Sequence, residues 1–375
     1  MQLRLSEATR DYEAAKKDID EAVLSVLQSG QYVLDENVRQ LEETFAQFCG
    51  VRHGVGTASG TMALLVGLRA ARIGFGDEVI TAPYTSKCTT AAISLANATI
   101  RFADISEETL TLDPRKIAPA ITERTKAIMP VHLHGQVAEM DAINEIAREH
   151  QLMVIEDAAL AVGAEYRQQR AGSLGQMAAF SFAPTKILGG IGWGGIFVTN
   201  DDEIAIRGRQ ISGFGYQAAM GSTDLDLEGY NVMISSIQAA ALNAKMPYLE
   251  GWLARRREIA ARYDEACDAL GITRLHPPTH TKPSWRTYII RVPQRDAIIA
   301  GLQRYGIEAG AHFTPVLHTR PLYKHLGYEK GDFPVAEMAA EELICLPIHP
   351  HLSDEDVTYI IHTLANAAQQ KERAS

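Results

Sequence analysis

Residues 152–157 have the sequence LMVIED, four successive apolar residues followed by two carboxylates. In a strand, successive side chains point to opposite faces, so a continuous apolar run needs cover on both faces. Such strands are typical of parallel sheets that carry helices on both sides. This segment therefore predicts an α/β fold with a mostly parallel sheet.

Similar short apolar runs recur on both sides of this segment, separated by longer stretches with helical periodicity. Helices are predicted at residues 61–72, where Ser59 and Gly60 precede the first turn, and at residues 141–150, where Asp141 can cap the first turn. Together these elements predict a sheet of seven strands. The predicted strands are residues 54–56, 78–81, 100–103, 127–131, 152–156, 178–182 and 195–199.

The chain has 375 residues, more than a single domain usually holds. We predict an N-terminal arm and a large cofactor-binding α/β domain over residues 1–250, and a smaller C-terminal α+β domain over residues 251–375. A helix from Gln238 to Arg262 would connect the two, followed by a strand at residues 285–292 and a helix at residues 295–306. The first forty or so residues are expected to pack onto the C-terminal part.

Charge and composition exclude several classes of protein. The net charge of -10 argues against a basic face that binds nucleic acid. The four scattered cysteines and the histidines of the C-terminal part lack the spacing of a zinc site or a disulfide framework. Residues 1–20 lack the apolar core of a signal peptide, and no stretch reaches the roughly 18 apolar residues of a membrane span. We therefore expect a cytoplasmic protein with no metal site, no nucleic-acid partner and no membrane partner.

A lysine follows the predicted strand at residues 178–182. The segment FSFAPTK, residues 180–186, stops its strand at Pro184 and places Lys186 just beyond it. Ligands of open α/β sheets gather where strands end. A lysine that attacks a carbonyl must be neutral, and burial makes it so by lowering its pKa. Lys186 is therefore a candidate nucleophile; the alternative is an ordinary loop lysine in solvent.

Asp157 ends another buried strand at the same edge of the predicted sheet. A carboxylate there could keep the nitrogen of a pyridine ring protonated, which makes the ring an electron sink. The alternatives are a helix cap and a magnesium ligand.

The sequence ASGT, residues 58–61, lies between a predicted strand and a predicted helix. The first N–H groups of a helix lack partners and attract anions, so this segment could bind a phosphate. Ser181 offers a further hydroxyl near Lys186. The alternative is an ordinary helix cap with no ligand.

These segments together resemble the DegT/StrS family of nucleotide-sugar aminotransferases, which have the aspartate-aminotransferase fold and use pyridoxal 5'-phosphate. The resemblance runs nearly end to end, from Gly30 to Ile348. Several matching blocks in one order are far more specific than any single block. The blocks are ASGT at 58–61, GDEVIT at 76–81, PVHLHGQ at 130–136, IEDAA at 155–159, AGSLG at 171–175 and SFAPTK at 181–186.

The resemblance implies a role for each candidate. Lys186 would form the imine with the cofactor, and Asp157 would pair with the pyridinium nitrogen. Asn231 would reach the phosphate of the neighbouring subunit's cofactor, so the active unit would be a homodimer with shared sites. The implied phosphate ligands of the same subunit are Gly60, Thr61 and Ser181.

Several positions near the cofactor and the substrate depart from the family's pattern. Leu160 stands where the family usually has Gln or His, and Ser86 where it usually has an aromatic residue stacked on the pyridine ring. Trp193 replaces a common acidic residue, and Met233 a frequent arginine. These departures bear on the identity of the sugar rather than on the class of reaction. The further implied contacts are Tyr84 and Ser86 for the cofactor and Tyr32, Leu160, His312 and Phe313 for the substrate.

The predicted reaction moves an amino group from an amino acid, glutamate first, to a keto sugar. The first hypothesis for the acceptor is a nucleotide-linked 4-keto-6-deoxyhexose of amino-sugar biosynthesis; a 3-keto sugar and a keto-inositol are the alternatives. A non-catalytic regulator or scaffold with the same fold is the alternative of another class, and the presence of both Lys186 and Asp157 argues against it. An oxidoreductase is disfavoured because no GxGxxG lies between an early strand and a helix.

Overall fold

The structure of the chain, a computed structural model, describes residues 2–215 and 227–372. The α-helices are α1 (Ala8–Ala14), α2 (Lys16–Ser29), α3 (Glu36–Cys49), α4 (Gly60–Ala70), α5 (Lys87–Leu95), α6 (Met140–Glu149), α7 (Asp202–Ser212), α8 (Ser236–Lys245), α9 (Leu249–Leu270), α10 (Arg295–Arg304), α11 (Pro334–Glu342) and α12 (Asp354–Glu372). The strands are β1 (His53–Thr57), β2 (Glu78–Thr81), β3 (Thr99–Phe102), β4 (Thr125–Ile128), β5 (Met153–Asp157), β6 (Glu165–Tyr166), β7 (Gln169–Arg170), β8 (Met177–Ser181), β9 (Gly195–Thr199), β10 (Thr273–Arg274), β11 (Thr281–Lys282), β12 (Tyr288–Arg291) and β13 (Leu343–Leu346).

The main sheet has seven strands in the order β1-β9-β8-β5-β4-β2-β3. From β8 to β3 all neighbours pair in parallel, whereas β9 is antiparallel to both β1 and β8. Every predicted strand overlaps one of these seven. The predicted α/β fold with a mostly parallel seven-stranded sheet is therefore confirmed.

Helices cover this sheet as the apolar runs predict. Val154 and Ile155 of β5 are fully buried, and α4 packs against β8 and β9. Ser59 caps α4 by accepting a hydrogen bond from the N–H of Met62 at 3.2 Å, as expected. The predicted cap at Asp141 is wrong. Helix α6 begins at Met140, and Asp141 lies inside its first turn, where a negative charge still favours the helix dipole.

The connection to the C-terminal part differs from its prediction. The single helix expected from Gln238 to Arg262 is two helices, α8 and α9, joined by a 3-10 turn at Met246–Tyr248. Pro247 lies in this turn, and its ring and missing N–H disrupt a continuing helix.

Strand β12 starts at Tyr288 rather than at residue 285, because Trp285 has a left-handed φ of 50° that extended strands do not allow.

The first forty residues divide into two parts. The N–H of Leu3 donates to the carbonyl of Gly306 at 2.8 Å, and Asp11 contacts His351 at 2.8 Å, so the first dozen residues do pack onto the C-terminal part. Helices α2 and α3 pack on α8 and β1 instead, and for them that expectation is wrong.

A second sheet, β10-β12-β13, forms entirely after residue 272. The division of the chain at residue 250 stays a prediction. Among the helices that the structure describes, none is long and apolar enough to cross a membrane.

Candidate active site

A cavity of about 270 Å³ lies where β5 and β8 end. It brings together eight of the residues that the sequence singled out, although they are far apart along the chain. These are Gly60, Thr61, Ser86, Asp157, Leu160, Ser181, Lys186 and Phe313. A larger cavity of about 450 Å³ lies beside β10 and β13, and none of the predicted site residues lines it.

Lys186 lies just after β8, in a turn in which its N–H donates to the carbonyl of Ala183 at 2.9 Å. Burial, together with the positive charge of Arg286 and against the opposing effect of Asp157, lowers the pKa of Lys186 to about 8. An amine with this pKa becomes mostly neutral once the pH rises slightly above the physiological value. A nucleophile or base must be neutral in this way. The alternative of an ordinary lysine in solvent does not fit these surroundings.

The low pKa of Lys186 has a measurable consequence. The rate at which cofactor-free protein captures pyridoxal phosphate should rise with pH and level off above about pH 8, because the amine is then neutral. An unperturbed lysine would keep gaining neutral amine up to its usual pKa of 10.5. Stopped-flow absorbance across this range measures the rate, with free lysine as the reference amine. A rate without a plateau below that value would contradict a depressed pKa.

Asp157 is only 3% exposed and ends β5 inside the cavity. Its Oδ2 accepts a hydrogen bond from the hydroxyl of Thr89 at 2.7 Å, and its Oδ1 accepts one from the N–H of Ala159 at 3.2 Å. Burial nevertheless raises the pKa of Asp157, since these two bonds only partly offset the loss of water. A buried carboxylate of this kind is stabilised by a cationic partner such as a protonated ring nitrogen.

The N-terminus of α4 forms the other end of the cavity. A Cβ on Gly60 would lie 2.7 Å from the Cβ of Ser181, and a Cβ on Gly195 would lie 2.4 Å from the carbonyl carbon of Ser59. Only glycines let the start of α4, the end of β8 and the start of β9 approach so closely. This approach brings together the first N–H groups of the helix and the hydroxyls of Thr61 and Ser181. This cradle, formed by residues 59–61 with Ser181, suits a phosphate.

Four predicted residues lie outside the cavity lining. Tyr84 is fully buried, and its ring meets that of Phe313 edge to face at a centroid distance of 5.6 Å. His312 lies beside Phe313 and is partly buried, and loss of water there lowers its pKa to about 4, which keeps it neutral. Tyr32 and Asn231 are exposed on the surface of this subunit. Contacts of Tyr32 or Asn231 with a cofactor in another subunit stay predictions.

Two contributors to the site were missed by the sequence reasoning. Thr89, on α5, orients the carboxylate of Asp157, and Arg286 acts on the pKa of Lys186 from the C-terminal part. The segment WRTYIIRV, residues 285–292, contained a signal for Arg286, since a charged residue beside a buried strand needs an explanation. No comparable signal marked Thr89, because threonine is an ordinary residue in a helix.

The model of the DegT/DnrJ/EryC1/StrS aminotransferase family matches residues 13–365. The chain belongs to this family. It is therefore an aminotransferase that uses pyridoxal phosphate, and the cavity described above has the carboxylate, lysine and phosphate cradle that fit this cofactor.

Relatives of this DegT-family aminotransferase match over nearly their whole length. A pleiotropic regulatory protein of Geobacillus stearothermophilus is 39% identical over 97% of this chain and 98% of its own. The dTDP-3-amino-3,4,6-trideoxy-alpha-D-glucose transaminase of Streptomyces venezuelae is 36% identical over 97% of this chain and 95% of its own. The crystal structure of S. venezuelae DesV in complex with a ketimine intermediate has a TM-score of 0.95 at 36% identity, covering 98% of this chain and 99% of that one. The aspartate-aminotransferase-like fold is thereby confirmed.

Proposed function

We propose that this aminotransferase moves an amino group from an amino acid, glutamate first, to a keto sugar carried on a nucleotide. The observation that carries the proposal is the convergence of Lys186, Asp157 and the cradle at residues 59–61 on one cavity. Together they provide the base, the ring-nitrogen partner and the phosphate site that this chemistry needs.

Each of these residues has a defined task in the reaction. Gly60, Thr61 and Ser181 bind the cofactor phosphate, and the carboxylate of Asp157 holds the ring nitrogen protonated. When bound, pyridoxal phosphate supplies an electron sink that stabilises negative charge at the reacting carbon. Lys186, as the neutral amine, takes the proton from the α carbon of the donor and later returns a proton to the sugar carbon.

The position of the keto group distinguishes two candidate acceptors. The sequence predicts a 4-keto-6-deoxyhexose. The S. venezuelae relative is named for an amino group at carbon 3 of a dTDP-linked sugar, which supports a 3-keto hexose as the second candidate. Leu160 and Trp193 line the cavity, and Trp193 is 74% exposed at its edge, so both can contact the sugar nucleotide.

The test is a panel of substrates. Purified protein with pyridoxal phosphate is incubated with glutamate and with 3-keto and 4-keto hexoses on dTDP, UDP or GDP, and with free keto sugars and a keto-inositol. Mass spectrometry then detects the aminated product. Amination of a nucleotide-linked sugar alone supports the proposal. Efficient amination of free sugars or keto-inositol would contradict the nucleotide-linked acceptor.

A non-catalytic regulator is the competing function, and the name of the G. stearothermophilus relative belongs to that class. The presence of Lys186 and Asp157 in one cavity disfavours it, because a protein that only binds its cofactor needs no carboxylate to keep the ring nitrogen protonated. Failure of glutamate to convert the cofactor, together with the absence of any aminated product from the panel, would favour the regulator.

The proposed active unit is a homodimer in which Asn231 reaches the cofactor phosphate of the partner. Asn231 is exposed in the single subunit, where its strand-like segment pairs with Gly213. We expect Asn231→Ala to weaken cofactor retention, because one hydrogen bond to the phosphate is lost. Mixed dimers of Asn231→Ala and Lys186→Ala subunits should recover part of the activity, since one of their two sites would be intact. Full activity of a monomer, by sedimentation, would contradict the shared site.

A further inference from the structure

Trp193 is an exposed aromatic side chain at the edge of the active-site cavity. It lines the cavity, yet 74% of its surface is exposed. The other two tryptophans of the chain, Trp252 and Trp285, are buried. A single exposed aromatic side chain needs no explanation on an ordinary surface. At the mouth of a ligand cavity, however, its flat face is within reach of any ligand that extends out of the cavity.

The loop that carries Trp193 is closed by hydrogen bonds. We call residues 189–194, with the sequence GGIGWG, the glycine loop. Both ends of this loop bond to Phe182, the residue that follows β8. Gly190 donates its N–H to the carbonyl of Phe182 at 2.8 Å, and the N–H of Phe182 donates to the carbonyl of Gly194 at 2.8 Å. The backbone on either side of the indole is therefore fixed to the sheet.

Two side chains of α8 support the glycine loop. The ammonium group of Lys245, which is only 3% exposed, donates to the carbonyl of Gly189 at 2.8 Å. The Oε1 of Gln238 accepts a hydrogen bond from the N–H of Ile191 at 3.0 Å, and a Cβ on Gly192 would collide with the same side-chain amide. The loop is thus held in place before any ligand binds, so little conformational entropy is lost when a ligand contacts its tryptophan.

The cavity is too small for the cofactor together with a whole sugar nucleotide. Its volume of about 270 Å³ lies below the range of about 300–1,000 Å³ for pockets that bury one small molecule. The cofactor takes the space between Lys186, Asp157 and the cradle at residues 59–61. Among the described residues that line the cavity, Lys186 is the only one with a positive charge. The diphosphate and the base of the acceptor therefore lie outside the cavity, at its mouth.

We propose that Trp193 binds the base of the sugar nucleotide by stacking its indole ring on the plane of the base. Every base has a flat π-face, and stacking on an aromatic side chain suits all of them. The indole carries no charge and only one N–H donor, so it is a poor partner for the diphosphate. The keto sugar has to reach Lys186 inside the cavity, whereas most of the indole lies outside. The inference rests on the proposed nucleotide-linked acceptor.

Tryptophan fluorescence of the holoenzyme tests the contact directly. The protein is titrated with dTDP, UDP and GDP, with excitation at a wavelength that nucleotides do not absorb. Because Trp193 is exposed and Trp252 and Trp285 are buried, a stacked base should quench the emission of Trp193 in a saturable way. Trp193→Phe should lose this quenching and still bind dTDP by calorimetry, since phenylalanine also stacks.

Trp193→Ala measures the size of the contact. We expect its affinity for dTDP to fall about 5- to 150-fold, the range for loss of one base–aromatic stack. The KM for the nucleotide-linked keto sugar should rise by a similar factor, while kcat and half-saturation by glutamate stay as in the wild type. Trp193→Phe should fall between. Ile191→Ala is the matched control, because Ile191 is 48% exposed on the same loop and does not line the cavity.

Three results would overturn the inference. Quenching by a dTDP-linked sugar and not by dTDP would place the sugar on the indole. A raised half-saturation by glutamate in Trp193→Ala would show that the tryptophan only supports the site. Shielding of Trp193 from acrylamide without nucleotide, with a smaller sedimenting species for Trp193→Ala, would assign the ring to a contact with a second copy of the chain.

Binding of the nucleotides also separates this inference from the proposed function. If dTDP, UDP and GDP all fail to bind the wild type, the nucleotide-linked acceptor fails together with the stacking contact. If they bind the wild type and Trp193→Ala with equal affinity, only the stacking contact fails.

Discussion

Lys186→Ala should abolish transamination and leave the fold and the binding of pyridoxal phosphate in place. In the proposed mechanism Lys186 is both the covalent anchor of the cofactor and the base, and loss of a base alone costs up to about 10⁴-fold. We therefore expect a loss of at least about 10⁴-fold in the rate at which glutamate converts the cofactor, measured by absorbance in a single turnover. Cofactor should still bind through the cradle at residues 59–61, because the variant does not alter it.

Chemical trapping checks the same assignment independently. Borohydride reduction of the wild type should link pyridoxal phosphate to the peptide that contains Lys186, and peptide mass spectrometry should find no link in Lys186→Ala. Lys126→Ala serves as the matched control, since Lys126 is exposed on β4 and does not line the cavity. Labelling of any other lysine in the wild type would contradict the assignment.

Asp157→Asn should reduce activity by about 10²- to 10³-fold, the range observed when one electrostatic partner of a developing charge is removed. An amide cannot hold a ring nitrogen protonated, so the cofactor would lose much of its capacity to accept electrons. The measurement is the rate of cofactor conversion by saturating glutamate. Thr89→Val is the milder variant for comparison, because it removes only the hydroxyl that donates a hydrogen bond to the carboxylate of Asp157. We expect it to lose less activity than Asp157→Asn. Near-normal activity of Asp157→Asn would mean that the carboxylate is structural.

Asp157→Asn should not destabilise the cofactor-free protein. The folded-state pKa of Asp157 lies above its usual value of 3.8, so between these two values the folded chain holds more protons than the unfolded chain. Stability is therefore lost as the pH rises through that window, and the loss is complete above the folded-state pKa. Asparagine removes this charge, and we expect Asp157→Asn without cofactor to melt at or above the wild-type temperature at neutral pH. A much lower melting temperature would contradict this expectation.

The sheet was predictable from the sequence except for the direction of one strand. The run at residues 195–199 is buried along its whole length, as a central parallel strand would be, and it gives no sign that β9 runs against its neighbours. Burial on both faces follows from the layers of helices and does not depend on strand direction. The strands β6, β7, β10 and β11 have only two residues each, so they were not predictable, because two residues are too few to show a periodic pattern.

The site was predictable where its residues lie at strand ends and helix starts. Lys186, Asp157 and Gly60 occupy such positions, and the order of the elements alone brings them together. Thr89 and Arg286 reach the site through packing of other segments, and only the structure shows their proximity. Position in the chain therefore indicates the reacting groups better than the groups that tune them.

The close approach of Gly60 and Gly195 to their neighbours bears on how this enzyme could be redesigned. A Cβ on Gly60 would meet Ser181, and a Cβ on Gly195 would meet the backbone of Ser59, so a substitution at either glycine would force the phosphate cradle apart. Variant libraries that seek new acceptors should leave both positions fixed and randomise Leu160 and Trp193. Changes in acceptor range could then accumulate without disturbing the machinery that performs the transfer.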